Sequence, residues 1–260
     1  MPETATAPQI VTIPCLKDNY AFLLHDPATG ATAVVDVPEA PPIQAALAER
    51  GWTLSDIVLT HHHWDHVDGV ADLLAATGAK VWGASADAHR LPPLDHALAE
   101  GDSVTIGGLT GQVFDVSGHT VGHIAVHFPQ ANAVFTADSL TALGCGRLFE
   151  GTPEQMWESL SKLARLPPET LVCSGHEYTL SNARFAVTVD PQNIALISRL
   201  AAVEDARAAD RLTVPSTLAE ELATNPFLRA ADPAIARHLG LDGSDPATVF
   251  ARIRSLKDAF

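Results

Sequence analysis

Four imidazoles and one carboxylate crowd into the six residues His61-His62-His63-Trp64-Asp65-His66. Imidazole nitrogen and carboxylate oxygen are the donors that hold zinc and its first-row neighbours, so the chemistry open to this stretch is metal chemistry. The order is His-x-His-x-Asp-His, and His62 and Trp64, at the intervening positions, are expected to face away. Three further segments place one ligand-type side chain just past an apolar run: Gly118-His119, Ala137-Asp138 and Gly175-His176. Each is weak alone, because a lone histidine after a strand more often satisfies a hydrogen bond than a metal. Four such strand ends in one chain point together to bound metal.

Positioning these side chains requires a scaffold of strands whose ends lie at one edge. Asp56-Ile57-Val58-Leu59-Thr60 reads as a buried strand leading into the first cluster, and Val67–Leu74 has helical spacing after it. Ahead of it, Gln9–Pro14, Tyr20–His25 and Thr32–Val37 read as strands, and Ile43–Arg50 as a helix closed by Gly51. Beyond it come a helix over Gly69–Thr77 and a strand over Ala79–Gly83. Strands are then expected near Ser103–Ile106, Leu109–Val116, His123–Phe128, Ala133–Thr136 and Thr170–Cys173. A helix over Pro153–Arg165 starts from Thr152 as N-cap with Pro153 at its first position. From about Tyr178 the strand pattern gives way to helical spacing, with helices over Pro191–Ala209, Pro215–Leu222 and Pro246–Lys257, the last capped by Asp245. A mixed α/β region over residues 1–176 and a small helical one over 177–260 are therefore expected.

With 47% apolar and 18% charged residues over 260 positions, the chain has ample material for a core. Its formal charge of −15 (16 basic against 31 acidic residues) argues against nucleic acid as a partner. No apolar run approaches the ~20 residues of a membrane span. Met1–Gln9 has neither the basic nor the apolar region of a leader. Cys15, Cys145 and Cys173 are too scattered for a disulfide framework. A cytoplasmic setting, no membrane partner and a monomer are expected.

Taken together, His61-x-His63-x-Asp65-His66, His119, Asp138 and His176 closely resemble the ligand motifs of the metallo-β-lactamase superfamily. The resemblance implies an α+β fold, a four-layer αβ/βα sandwich, here followed by a small all-α C-terminal domain. It assigns His61, His63 and His119 to one divalent ion, Asp65, His66 and His176 to a second, and Asp138 to both. Within that superfamily, Leu16-Lys17-Asp18-Asn19-Tyr20, Gly144-Cys145-Gly146-Arg147-Leu148-Phe149-Glu150-Gly151-Thr152, Gly175-His176-Glu177-Tyr178-Thr179 and Asn225-Pro226-Phe227-Leu228-Arg229 resemble the hydroxyacylglutathione hydrolase (glyoxalase II) family.

What that narrower resemblance implies is hydrolysis of S-(2-hydroxyacyl)glutathione, S-D-lactoylglutathione foremost, to glutathione and a 2-hydroxy acid such as D-lactate, a step in methylglyoxal detoxification. Asp65, His66 and Asp138 carry the catalytic roles, through a hydroxide shared by two ions. A thiol pKa of about 8.5 makes the leaving group easy, so no strong protein acid is required. Arg147, Tyr178, Asn182, Arg254 and Lys257 are the implied substrate contacts. Arg254 and Lys257 share one face of the last helix, away from Val249, Phe250, Ile253 and Leu256. Arg147 stands where the family often has lysine, exchanging a point charge for a planar fork. Phe149 stands where many members have tyrosine, removing a hydroxyl. Zinc is the first expectation for both ions, with iron or manganese as alternatives.

Judged without the resemblance, Arg254 and Lys257 read as solvated charges and Tyr178 as a packing residue. His25, His62, His89, His96, His123, His127 and His238 are read as structural or solvent-facing. Neither Cys145 nor Cys173 has an activating base, so neither is a nucleophile. Other readings remain at this point: a lactonase or broad thioesterase, a persulfide dioxygenase with one iron, or a non-catalytic metal-binding module. Intact Asp65 and His66 favour two ions and hydrolysis.

Overall fold

Asn19–His25 is buried along its whole length, as a strand covered on both faces must be. In the computed structural model, which describes residues 7–260, this strand is β2 of a six-stranded sheet. Most of the segment read for a leader lies outside the described residues. The sheet runs in chain order: β1 (Gln9–Cys15), β2, β3 (Thr32–Val35), β4 (Asp56–Val58), β5 (Lys80–Ala84) and β6 (His96–Leu98). Its first three strands are antiparallel and its last four parallel neighbours. Parallel neighbours need crossovers. Helix α1 (Ala40–Arg50) makes the crossover between β3 and β4, while α2 (Trp64–Val67) and α3 (Val70–Thr77) make that between β4 and β5.

The second six-stranded sheet contains β7 (Ser103–Ile106), β8 (Leu109–Asp115), β9 (Ile124–Phe128) and β10 (Ala133–Ala137). A two-stranded hairpin, β11 (Leu140–Thr141) with β12 (Gly144–Cys145), follows β10 directly. Then come α4 (Pro153–Leu163), β13 (Leu171–Ser174), α5 (Thr179–Val189), α6 (Ile194–Ala208), β14 (Ser216–Thr217), α7 (Leu218–Thr224), α8 (Pro233–His238) and α9 (Pro246–Asp258). The order in the second sheet is β14-β13-β10-β9-β8-β7. Two sheets with helices, followed by the helical run α5–α9, are the α+β class expected. No helix among the described residues is long and apolar enough to cross a membrane.

By its contacts the chain forms two compact units. One runs to Asp115 and includes Gly122–Phe135; the other comprises Val116–Val121 and Thr136–Phe260. In the first, Ile43, Leu47, Val70 and Leu73 of the helices join Leu23, Val34 and Ile57 of the sheet in one buried cluster. In the second, Phe227 meets both Phe185 of α5 and Phe250 of α9 by ring contacts.

Where local chemistry is strong, element ends fall as expected. Gly51 closes α1 in the left-handed region at φ 66°, and Thr152 with Gln155 forms a capping box on α4. Asp245 accepts from Thr248 N at the start of α9. Helix α1 begins three residues earlier than expected, because prolines in the first turn give up only N–H groups that have no helical partner. The helix expected from Pro215 starts instead at Leu218, where Thr217 and Glu220 make a second capping box. The helix α5 was not expected. Its β-branched and small residues carry little helical preference, and burial of Ala183, Phe185, Ala186 and Val189 outweighs that.

Candidate metal centre

The strand β4 is parallel to β3, and the chain leaving it carries Thr60 and His61, both fully buried. Just past β3, Asp36 turns through the left-handed region at φ 56° and is itself buried. Its carboxylate accepts Thr60 N–H at 2.9 Å, the Thr60 hydroxyl at 2.8 Å and His66 Nδ1–H at 2.8 Å. The Thr60 hydroxyl, its one proton spent on Asp36, accepts from His61 Nδ1 at 3.0 Å. Both histidines therefore hold Nδ1–H toward the protein and leave Nε2 as the lone-pair nitrogen, the form a metal would need. An outer carboxylate fixing a ligand imidazole in this way also raises its basicity.

Around them, His63 is the N-cap of α2 and lies edge-on to His61, with ring centroids 4.8 Å apart. Asp65 is steadied by Asn19, whose amide donates to its carbonyl at 2.9 Å and its carboxylate at 3.1 Å. His62 turns to a buried carboxylate, with Nδ1 2.8 Å from Asp87 Oδ2. Trp64 is 63% exposed. His123, fully buried, stacks on His61 at 4.5 Å and 11°.

The second unit carries His119, Asp138 and His176, all buried. His119 Nδ1 donates to Arg147 O at 2.8 Å, again leaving Nε2 as the lone-pair nitrogen. Asp138 stands between two imidazoles, with Oδ2 3.4 Å from His119 Nε2 and Oδ1 3.3 Å from His176 Nε2. Ligands about 2.05 Å from a tetrahedral zinc lie about 3.3 Å from each other. These separations leave room for an ion on each side of the carboxylate, with one oxygen turned to each imidazole. Tyr178 stacks flat on His176 at 4.6 Å, and Phe149 sits edge-on to His119 at 5.3 Å.

Gly146 shows how closely this set is enclosed. A Cβ there would lie 2.0 Å from Asp138 O and 2.8 Å from His119 Nδ1. Gly146→Ala is expected to displace both residues and weaken zinc binding by about tenfold or more, read by chelator competition.

Each unit gathers ligand-type side chains of its own. In the first, Asp36, His61 and His66 lie together, with Asp36 already committed to Thr60 and His66, which makes it an orienting group. In the second, Asp138 stands between His119 and His176. Imidazole nitrogen with carboxylate oxygen is the donor type that suits zinc, iron or manganese. Sequence reasoning gives no role in the site to Asp36, Thr60 and His123, and gives Asn19 and Gly146 only a place in the quoted family motifs. Asp36 carries a further signal, a carboxylate just past an apolar run like Asp138, but the run reads as continuing to Val37.

The expected substrate contacts are placed unevenly. Tyr178 and Arg147 are exposed, with Arg147 Nε 3.4 Å from Asp258. Asn182 is buried and its amide donates to Ala142 O at 3.0 Å. Arg254 is buried with Val249, Phe250 and Ile253 rather than turned away from them. It donates to Cys145 O at 2.9 Å and pairs with Asp258 at 3.0 Å. Its Nε–H is buried without an acceptor. Lys257 reaches Ser181 and lies over the Phe185 and Phe260 rings. Burial, and after it the charge of Arg254, lowers the Lys257 pKa to about 8. All three cysteines are free and buried. Burial raises the thiols of Cys15 to about 12 and Cys145 to about 11, and raises Cys173 as well, so none is a ready nucleophile.

A family model described as the Metallo-beta-lactamase superfamily matches residues 19–176, and one described as the Hydroxyacylglutathione hydrolase C-terminus matches residues 177–260. A hydroxyacylglutathione hydrolase of Jannaschia sp. (strain CCS1) is 72% identical over 97% of this chain and 99% of its own length. The chain belongs to the hydroxyacylglutathione hydrolase family. A second relative of that name, from Ruegeria pomeroyi, is 66% identical over 97% of this chain and 99% of its own. A solved structure, TTHA1623 in a di-iron-bound form, is 26% identical with a TM-score of 0.61, covering 85% of this chain and 100% of its own. The His/Asp cluster of this hydroxyacylglutathione hydrolase family member is thus consistent with the dinuclear centre typical of the wider superfamily.

Proposed function

We propose that the chain hydrolyses the thioester of S-(2-hydroxyacyl)glutathione, with S-D-lactoylglutathione as principal substrate, to glutathione and a 2-hydroxy acid. The observation that carries this reading is identity of 72% over nearly the whole chain with a protein of that name. Two divalent ions, zinc first by donor type, would supply Lewis acidity and an activated water. His61, His63 and His119 would hold one ion and Asp65, His66 and His176 the other, with Asp138 offering one oxygen to each. Asp36, Thr60 and the Arg147 carbonyl keep the imidazoles in the tautomer that coordination needs. No protein acid is assigned to the leaving group, which departs as a thiolate.

In this reading residues 1–176 perform the hydrolysis and 177–260 hold the glutathione moiety. The peptide carries carboxylates, and the cations proposed to meet them are Arg147, Arg254 and Lys257; the unmatched Nε–H of Arg254 supports its place among them. Tyr178 would meet the peptide backbone. Asn182 would act on the substrate indirectly, through the turn at Ala142. The buried free thiols accord with a cytoplasmic, reducing setting, and the functional unit is proposed to be the monomer.

Lys257 gives a pH prediction. With its pKa lowered to about 8, the ammonium that attracts a carboxylate is present below that pH and lost above it. KM for S-D-lactoylglutathione is therefore expected to rise as pH passes from 7 to 9. Lys257→Arg, which keeps its charge throughout, is expected to flatten that rise. The deciding test of the whole reading is steady-state kinetics on S-D-lactoylglutathione against a panel of lactones. A kcat/KM of at least about 10⁴ M⁻¹s⁻¹ for the thioester is expected, and a lactone turned over faster would overturn the assignment.

A further inference from the structure

Glu221, on α7, is fully buried, and a carboxylate survives in such a place only when donors surround it. Its Oε1 accepts the Ser216 hydroxyl at 2.6 Å and the Arg199 guanidinium. Its Oε2 accepts Asn225 Nδ2 at 3.0 Å and, from 78 residues away in sequence, Leu143 N–H at 2.8 Å. Leu143 lies in the turn of the β11–β12 hairpin, in the left-handed region at φ 57°, which a leucine adopts only under constraint.

The same turn is gripped elsewhere. Asn225 Nδ2 donates to Thr141 O at 3.2 Å and Gly144 O at 2.9 Å. Asn182 holds Ala142 O, and Arg254 holds Cys145 O. A hairpin with two paired residues in each strand has too little of its own to stand alone. These side chains supply the missing support, with Glu221 the acceptor that orders Asn225 and Leu143 together.

What the hairpin delivers is the backbone of the metal centre. Its first strand begins two residues after Asp138. Gly146, just past its second, donates N–H to Ser139 O at 3.2 Å and packs against Asp138 O. Arg147 O then accepts His119 Nδ1–H. A shift of the turn is therefore passed to one ligand through its backbone and to another through its tautomer-setting hydrogen bond. We propose that Glu221 is a positioning residue for the metal centre, acting through the β11–β12 hairpin on Asp138 and His119. This rests on the reading of those two residues as ligands.

The test uses the full chain loaded with cobalt or zinc, comparing wild type with Glu221→Ala and Glu221→Gln. Three readings are taken: the visible ligand-field spectrum of the cobalt form, zinc affinity by chelator competition, and kcat and KM on S-D-lactoylglutathione. Glu221→Ala is expected to move the cobalt bands, weaken zinc binding by about tenfold, and lower kcat with KM changed less than about twofold. Glu221→Gln, whose amide oxygen can still accept Leu143 N–H, is expected to recover most of the affinity. A Glu221→Ala protein that melts at lower temperature yet keeps the wild-type spectrum and zinc affinity overturns the proposal. Should that variant not fold, Asn225→Ala is read in the same way, and an unchanged spectrum and affinity there overturns it too. Wild-type protein that binds cobalt but leaves the thioester intact would sink the functional reading alone, and spectrum and affinity would still decide the role of Glu221.

Discussion

Protein stripped of divalent ions is expected to lose about 10³-fold or more of its kcat/KM on S-D-lactoylglutathione and to regain it when zinc is returned. The size follows from Lewis-acid stabilisation worth several kcal/mol: about 4 kcal/mol at 1.36 kcal/mol per decade is about three decades. Asp138→Ala is expected to cause a comparable loss that added zinc does not repair. Asp138 places one oxygen near His119 and the other near His176, so its removal takes a donor from each proposed ion. Elemental analysis alongside the kinetics separates the two cases: the stripped protein recovers its metal, and the variant retains substoichiometric metal. A stripped protein that cleaved the thioester at full rate would remove the metal from the reaction altogether.

Asp36→Ala is expected to weaken zinc binding by about 10- to 100-fold, although Asp36 is not among the proposed ligands. The carboxylate serves three donors at once, Thr60 N–H, the Thr60 hydroxyl and His66 Nδ1–H. Without it, His66 loses the acceptor that fixes its tautomer. Thr60 loses the partner that leaves its lone pair for His61. The buried donors so released should also cost about 3 kcal/mol of stability, and for a chain of this size that lowers Tm by roughly 6–12 °C. Asp36→Asn keeps the shape and one acceptor oxygen, and should fall between. Chelator competition and thermal unfolding measure the two effects. A loss of Tm with zinc affinity intact would reduce Asp36 to a structural residue.

Legibility in the sequence followed the range of the interactions involved. The strand ends bearing His61, His119, Asp138 and His176 could be read because a strand's apolar run and the polar residue ending it are local in sequence. The caps at Thr152 and Asp245 were legible for the same reason. Strands β6, β11 and β12, of two or three residues each, are too short to show a period. Helix α5 was hidden because its sequence disfavours a helix and only packing against α6 and the Phe227 ring supports it.

The same division runs through the site. Residue type and spacing by themselves marked the candidate donors, since imidazole and carboxylate at strand ends have a short list of chemistries. They also determined the family, whose motifs begin at Leu16 and whose implied substrate contacts reach Lys257. Tertiary structure alone decided which imidazole nitrogen faces outward, because that depends on Asp36, Thr60 and the Arg147 carbonyl, residues that periodicity does not mark. It alone placed Arg254 against Cys145 and Asp258, where helical spacing had set it on an open face. It alone tied Glu221 to the turn before Gly146. A hydrogen bond between residues 78 apart leaves no trace in local sequence pattern, because its energy is gained only after the chain between them has folded.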